Sequence, residues 1–263
     1  GTIWLGTYFG GVNYFNPEYE IYTRYSYSSN EKKGLSNPVV GRTIEDKNGN
    51  LWIGTEGGGL NYYNRRTREF KWYRPQEGRN SISHNNVKAL YYDADKEIIW
   101  IGTHLGGLNK LDIRSGHFTH YRMEGNNPQS LPSDIIRDIT PYKDLLIIAT
   151  QNGVCLFNPA NGQCRQLFKD SKEGKSIKMV ADVVFDSEGT LWIAATGEGV
   201  FSYRFDTRKL TNYRHDAANP NSLSNNNVNN ITQDSKGNLW FSTSGSGLDL
   251  YRPETNDFEN FDK

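Results

Sequence analysis

The chain has 263 residues, with 30 Lys and Arg balanced by 30 Asp and Glu, and 13% of it is Phe, Trp or Tyr. Zero formal charge is not the basic footprint of a nucleic-acid binder, and no apolar run reaches the roughly 18 residues that a membrane span needs. Hydrophobic residues make up only 35%, so aromatic rings, at roughly 150–250 Å² each, must supply much of the core.

The first predicted element, Ile3-Trp4-Leu5-Gly6-Thr7, returns as Leu51-Trp52-Ile53-Gly54-Thr55 and Ile99-Trp100-Ile101-Gly102-Thr103. It degrades to Leu146-Ile147-Ile148-Ala149-Thr150 and Leu191-Trp192-Ile193-Ala194-Ala195, then recovers as Leu239-Trp240-Phe241-Ser242-Thr243. The Trp position falls at 4, 52, 100, 147, 192 and 240, in steps of 48, 48, 47, 45 and 48. A fixed period of this length is the signature of a repeat architecture. The start, Gly1-Thr2-Ile3-Trp4, is not a signal peptide. If the protein is exported, its leader is expected outside this sequence.

Within each unit an apolar segment such as Val40 to Ile44 (position A) runs into a turn, Asp46-Lys47-Asn48-Gly49, in which Asp opens and Gly supplies positive φ. The Trp segment (position B) follows, then a glycine pair such as Gly58-Gly59 or Gly106-Gly107. Next come a strand of the Leu60-Asn61-Tyr62-Tyr63 type (C) and, after a polar turn, one marked by Phe70 and Tyr73, Phe118 and Tyr121, or Phe258 and Phe261 (D). No stretch shows sustained helical periodicity with caps. Each unit is therefore a four-stranded meander, and units are expected at about 1–25, 38–73, 86–121, 135–168, 179–213 and 227–261. Such a sheet cannot bury both faces alone, and radial stacking solves this with only short edges. The fold class is all-β, a β-propeller of four-stranded blades, with Trp, the A-strand Val and Ile and the D-strand Phe as inter-blade core. The first unit lacks its innermost strand, and the last ends with its own D strand. The chain is expected to be cut from a larger six- or seven-bladed propeller.

Cys155 and Cys164 are nine positions apart. They fit either a disulfide across one hairpin, which implies an oxidising compartment, or two buried thiols.

A meander places the D-to-A connectors and B-to-C turns at one end of each sheet, and the A-to-B and C-to-D turns at the other. The long connectors, residues 74–86 and 122–135, mark the first end as the place where a rigid scaffold carries function. The opening residue of the B-to-C turn also changes character from unit to unit: Tyr8, Glu56, His104, Gln151, Gly197, Ser244. A sugar site needs flat apolar faces with hydrogen-bond donors and acceptors in a wet setting. Candidate ligand-binding residues at that end are Tyr8, Phe9, Arg42, Glu56, His84, Asn85, His104, Arg137, Gln151 and Glu198. His84 and His104 share the third unit, and Glu56 or Asp134 would have to join them to hold a metal. Without a ligand-spacing motif no metal is expected. Asp46 to Asn50 lacks the twelfth-position Glu of a calcium loop and reads as a plain turn.

The unit Asn-Val-x-x-Ile-x-x-Asp-x-x-Gly-x-Leu-Trp-Ile-Gly-Thr-x-x-Gly-Gly-Leu-x-x-Tyr, read most fully at 227–251 and 40–63, resembles the two-component regulator propeller repeat. The connector Asn219-Pro220-Asn221-Ser222-Leu223-Ser224, with copies at Asn80-Ser81-Ile82-Ser83 and Gln129-Ser130-Leu131-Pro132, resembles that family's linker. Departures lie in the fourth unit (Ile147 for Trp, Cys164 for Phe) and in the fifth (Ala194-Ala195). The resemblance implies the periplasmic sensor region of a Bacteroides-type hybrid two-component protein. The family's full-length members carry a membrane helix and a histidine kinase beyond this segment. It also implies an oligosaccharide or other small ligand, a homodimer in the full-length protein, and membrane attachment only through sequence outside this chain.

The chain itself is expected to be no enzyme. It has no Gly-x-Ser-x-Gly elbow and no His-Glu-x-x-His, and its five His do not recur at one repeat position. No cofactor is implied. The alternatives are a protein-interaction or dimerisation scaffold and, less well supported, a metal-dependent propeller lyase of the streptogramin-lyase type.

Overall fold

The computed structural model describes residues 3–7, 11–16 and 21–261. It contains five four-stranded antiparallel sheets, each running A to D in chain order, and a three-stranded sheet over Ile3–Thr7, Gly11–Asn16 and Ile21–Tyr25. Helical structure among the described residues is limited to the single turns Glu31–Lys33 and Gly174–Ser176, and no helix is long and apolar enough to cross a membrane. The chain divides into two compact units, residues 1–123 with 134–139, and residues 124–133 with 140–263.

In the first unit, strand B of the second repeat (Leu51–Thr55) is buried at every position. Successive side chains point to opposite faces. Leu51 and Ile53 join Val12, Leu35 and Phe70, whereas Trp52 joins Val87, Ile99, Ile101 and Phe118 of the following repeat. The second unit repeats the scheme. Leu191 and Ile193 pack with Ile147, Val154 and Val180, while Trp192 and Ala194 pack with Val228, Phe241 and Phe258. A strand covered on both faces needs an unbroken apolar run, which is why the Leu-Trp-Ile phrase is not alternating. The glycine that follows it marks the closest approach of consecutive sheets. A Cβ on Gly54 would sit 2.6 Å from Val87 Cγ1, and one on Gly102 2.5 Å from Ile136 Cγ2.

The turn from A to B is tied to the Trp. Asp46 Oδ2 accepts from the Trp52 indole N–H (3.3 Å), Asp186 Oδ2 from Trp192 (2.8 Å) and Asp234 Oδ2 from Trp240 (3.1 Å). The other oxygen of each carboxylate accepts backbone N–H groups two and four residues on. In the fourth repeat Ile147 has no indole, and the turn shrinks to Lys143-Asp144 between strands Ile136–Tyr142 and Leu145–Thr150.

The connectors are fixed by a second recurring device. Ser36 N–H donates to Asn61 Oδ1 (2.8 Å), and Asn61 Nδ2 donates to Ser36 Oγ (2.8 Å). Ser83 N–H donates to Asn109 Oδ1 (2.8 Å), and Ser224 donates to Asp249 Oδ2 through its N–H (3.0 Å) and hydroxyl (3.1 Å). Asn61, Asn109 and Asp249 are fully buried on strand C, so each closes what would otherwise be an unpaired connector N–H. The connector residue before the serine (Leu35, Ile82, Leu223) is buried as an apolar anchor. Strand D adds a further tie: Trp72 Nε1 donates to Gly34 O (2.9 Å), Asn260 Nδ2 donates to Ser222 O (3.0 Å), and His120 Nε2 is hydrogen-bonded to Ser81 O (2.8 Å).

The fourth repeat breaks this device at both positions at once. Pro132 stands where the serine does, and Cys155 stands where the strand-C Asn or Asp does. Proline has neither hydroxyl nor N–H. Cys155 instead forms a disulfide with Cys164, at a Cα–Cα distance of 5.9 Å. Of the two states open to these cysteines, the structure has the disulfide. Register explains the pairing: Cys164 lies opposite Phe157, one same-face step from Cys155. The N–H of Cys164 donates to Gln129 O (2.7 Å), so the bridged strand still holds the connector.

Candidate functional site

At the connector end of the four-stranded sheets the B-to-C turn and a D-to-A connector share hydrogen bonds. Gly57 and Gly59 N–H donate to Asn85 O (3.2 and 2.7 Å), Glu56 N–H to Val39 O (2.9 Å), and His104 N–H to Asn86 O (2.9 Å). An arginine at the end of strand D braces the same turn. Arg122 Nη1 donates to Leu105 O (3.4 Å), and Arg214 Nη2 donates to Gly197 O (3.2 Å). Arg74 lies over the Trp72 ring (4.5 Å) and reaches Ser36 O (3.4 Å). Sequence reasoning missed these arginines. Their signal was the Tyr-Arg pair in constant register, Tyr73-Arg74, Tyr121-Arg122 and Tyr213-Arg214.

Of the ten expected site residues, Tyr8 and Phe9 lie outside the described residues. Arg42, Glu56, His84, Asn85, His104 and Arg137 belong to the first unit. Arg42 Nη2 pairs with the buried Asp138 carboxylate at 2.7 Å. Glu56 pairs with Lys88 of the next inner strand. His84 Nδ1 accepts from Asn86 N–H (3.0 Å). Burial, then the neighbouring His104 and Arg122, hold the His84 imidazole below its ordinary pKa. Asn85 and Arg137 are exposed. Gln151 and Glu198 belong to the second unit. There Gln151 O accepts from Met179 N–H (2.8 Å), and Glu198 pairs with Arg214. The register also corrects one assignment. Ala195 faces Gly199 as Thr55 faces Gly59, so the fifth B-to-C turn opens on Thr196, not Gly197.

Among the described residues no three His, Cys, Asp or Glu side chains converge to hold a metal. Asp134, the outer candidate, accepts from Met123 N–H (2.7 Å) and faces Arg122 at 3.7 Å. The second unit carries two open clefts. One, of about 460 Å³, lies at the opposite end of the fifth and sixth sheets, against Asp186, Glu188, Arg204, Lys209, Gln233 and Lys236. The other, of about 470 Å³, flanks the disulfide between Leu145, Leu156, Gln163 and Lys169.

Comparison with known proteins agrees with this architecture. The model of the two component regulator propeller family matches residues 34–57, 81–104 and 222–245, each from the clamped connector through strand B. No curated protein sequence matches the chain. Among solved structures, the extracellular domain of a hybrid two component system from B. thetaiotaomicron is 24% identical with a TM-score of 0.80, over 100% of this chain and 33% of that one. The extracellular domain of a one component system from the same organism gives 23% and 0.77, over 100% and 35%. PorZ of Porphyromonas gingivalis, a surface component of the type-IX secretion system, gives 16% and 0.68, over 94% and 36%. The chain thus spans about a third of the length of the structures it resembles. These likenesses establish the β-propeller fold. The repeats missed by the family model include the fourth and fifth, where Ile147, Pro132 and Ala194-Ala195 depart from the pattern. Repeat period, sheet topology and the three in-register matches together identify copies of the two component regulator propeller repeat at residues 34–57, 81–104 and 222–245 of this chain.

Proposed function

We propose that this chain is the ligand-sensing module of an extracytoplasmic, two-component signalling protein, and that it binds an oligosaccharide at the connector end of its sheets. One observation supports this most: the device that fixes the connectors of repeats two, three and six is repeated, while the turn it fixes differs among them. Ser36, Ser83 and Ser224 are clamped alike, yet the turns they brace present Glu56, His104 and Ser244. A rigid scaffold with a varied surface is the arrangement of a recognition face. In a propeller the connector ends of the blades share one face, so contacts of this kind add up over several repeats.

On this reading the chain is the periplasmic ectodomain of an inner-membrane protein, anchored by a segment outside this chain. The whole protein signals through a histidine kinase, as a homodimer whose arrangement the ligand biases. A ligand shifts such an equilibrium only through different affinity for the two arrangements. The disulfide fits an oxidising compartment. The test is calorimetric titration of the chain with plant and host oligosaccharides. Saturable binding that a Glu56→Ala, His104→Ala double variant weakens supports the reading. Absence of binding across the panel removes it.

A further inference from the structure

Leu105 is the second residue of the B-to-C turn in the third repeat, and its φ is 77°. At the same position repeats two, five and six have glycine, Gly57, Gly197 and Gly245, at 100°, 81° and 84°, while repeat four has Asn152 without a positive φ. Left-handed backbone suits glycine and is disfavoured for leucine, whose Cβ crowds the following carbonyl. Burial does not repay the strain, because Leu105 is 56% exposed. Met123, next in sequence to the Arg122 that donates to the Leu105 carbonyl, is 50% exposed. The surroundings hold the strained turn in place: Arg122 donates to the Leu105 carbonyl, Asp134 faces Arg122, and Asp134 O accepts from Gly107 N–H at 2.9 Å. Eight described non-glycine residues have positive φ, and Leu105 is the one among them in a B-to-C turn; strained residues held by their surroundings cluster at functional positions.

The charge around it is balanced. Glu56 is matched by Lys88, Arg42 by Asp138 and Arg122 by Asp134. His84, beside His104, is kept toward its neutral form by burial. What remains at the surface is the exposed apolar side chains of Leu105 and Met123.

We propose that Leu105 is a specificity-determining contact, and that the ligand it selects is a neutral oligosaccharide laying the C–H face of a sugar ring on Leu105 and Met123. This rests on the oligosaccharide reading above and narrows it. The test uses the 263-residue chain and two panels, neutral gluco-, xylo-, manno- and arabino-oligosaccharides, and anionic oligogalacturonides with sulfated disaccharides. Binding is expected from the neutral panel. Leu105→Asn, whose side chain tolerates the left-handed region, is expected to weaken it roughly tenfold while melting no lower than the parent. Met123→Gln, at an unstrained position, is the second variant and is expected to weaken it as well. Binding confined to the anionic panel overturns the proposal, as do neutral-panel affinities unchanged in both variants. Either result leaves the oligosaccharide reading standing. A parent chain that binds neither panel removes both.

Discussion

Asp234 shows how much one side chain settles in this fold. It accepts from the Trp240 indole and from the backbone N–H groups of Lys236 and Asn238. With the Asn238 side chain as the largest influence, these donors hold its carboxyl well below the usual carboxylate range. A folded-state pKa below the unfolded value stabilises the fold above the unfolded pKa, about 3.9, and that stabilisation is lost as pH falls through the folded pKa. The expected result is that Asp234→Asn flattens the acid limb of the melting-temperature profile below about pH 4, with little effect on its slope near neutrality. An unchanged acid limb would mean that the turn does not depend on that charge. Gly102 tests the packing side. A methyl there meets Ile136 and Ala89, so Gly102→Ala is expected to lower stability by about 1–3 kcal/mol in urea titration. The turn role of Asp234 was readable in the sequence, because Asp and Gly punctuate turns locally. The role of Gly102 was not, because the atom that excludes a side chain belongs to the next sheet.

At the scale of elements, the strands were legible because their period, turns and apolar runs are local and recur six times. The connector clamp was hidden by separation, Ser36 from Asn61 by 25 positions. The signal was present all the same. Ser and Asn or Asp occur together in repeats two, three and six, and Pro132 and Cys155 replace them together in repeat four. Removing the clamp acceptor strands a buried N–H, so Asn109→Leu is expected to cost about 1–3 kcal/mol. On this account the Cys155–Cys164 disulfide, at the clamp's strand-C position, substitutes for the clamp. Its reduction is expected to lower stability by roughly 2–3 kcal/mol, from the closure of a short loop. Restoring the clamp with Pro132→Ser and Cys155→Asn together is expected to give a chain whose melting temperature no longer responds to reductant and exceeds that of reduced parent. A double variant no more stable than the reduced parent would contradict the substitution.

At the scale of the molecule, the propeller architecture was legible because radial stacking is the economical way to cover both faces of a repeated meander. The site was legible only as a face. Which side chains are spent on ion pairs, as Arg42 and Glu56 are, depends on partners that no local pattern names. Nor did the pattern show the strain at Leu105. The rival location for a ligand is the cleft at the opposite end of the fifth and sixth sheets. Amide hydrogen exchange of the chain, with and without a saturating oligosaccharide, separates the two. Binding at the connector end predicts slowed exchange in the B-to-C turns, residues 56–59 and 104–107, and in the connector at 81–86. Protection confined to residues 186–190, 204–209 and 233–239, or none at all, would contradict it.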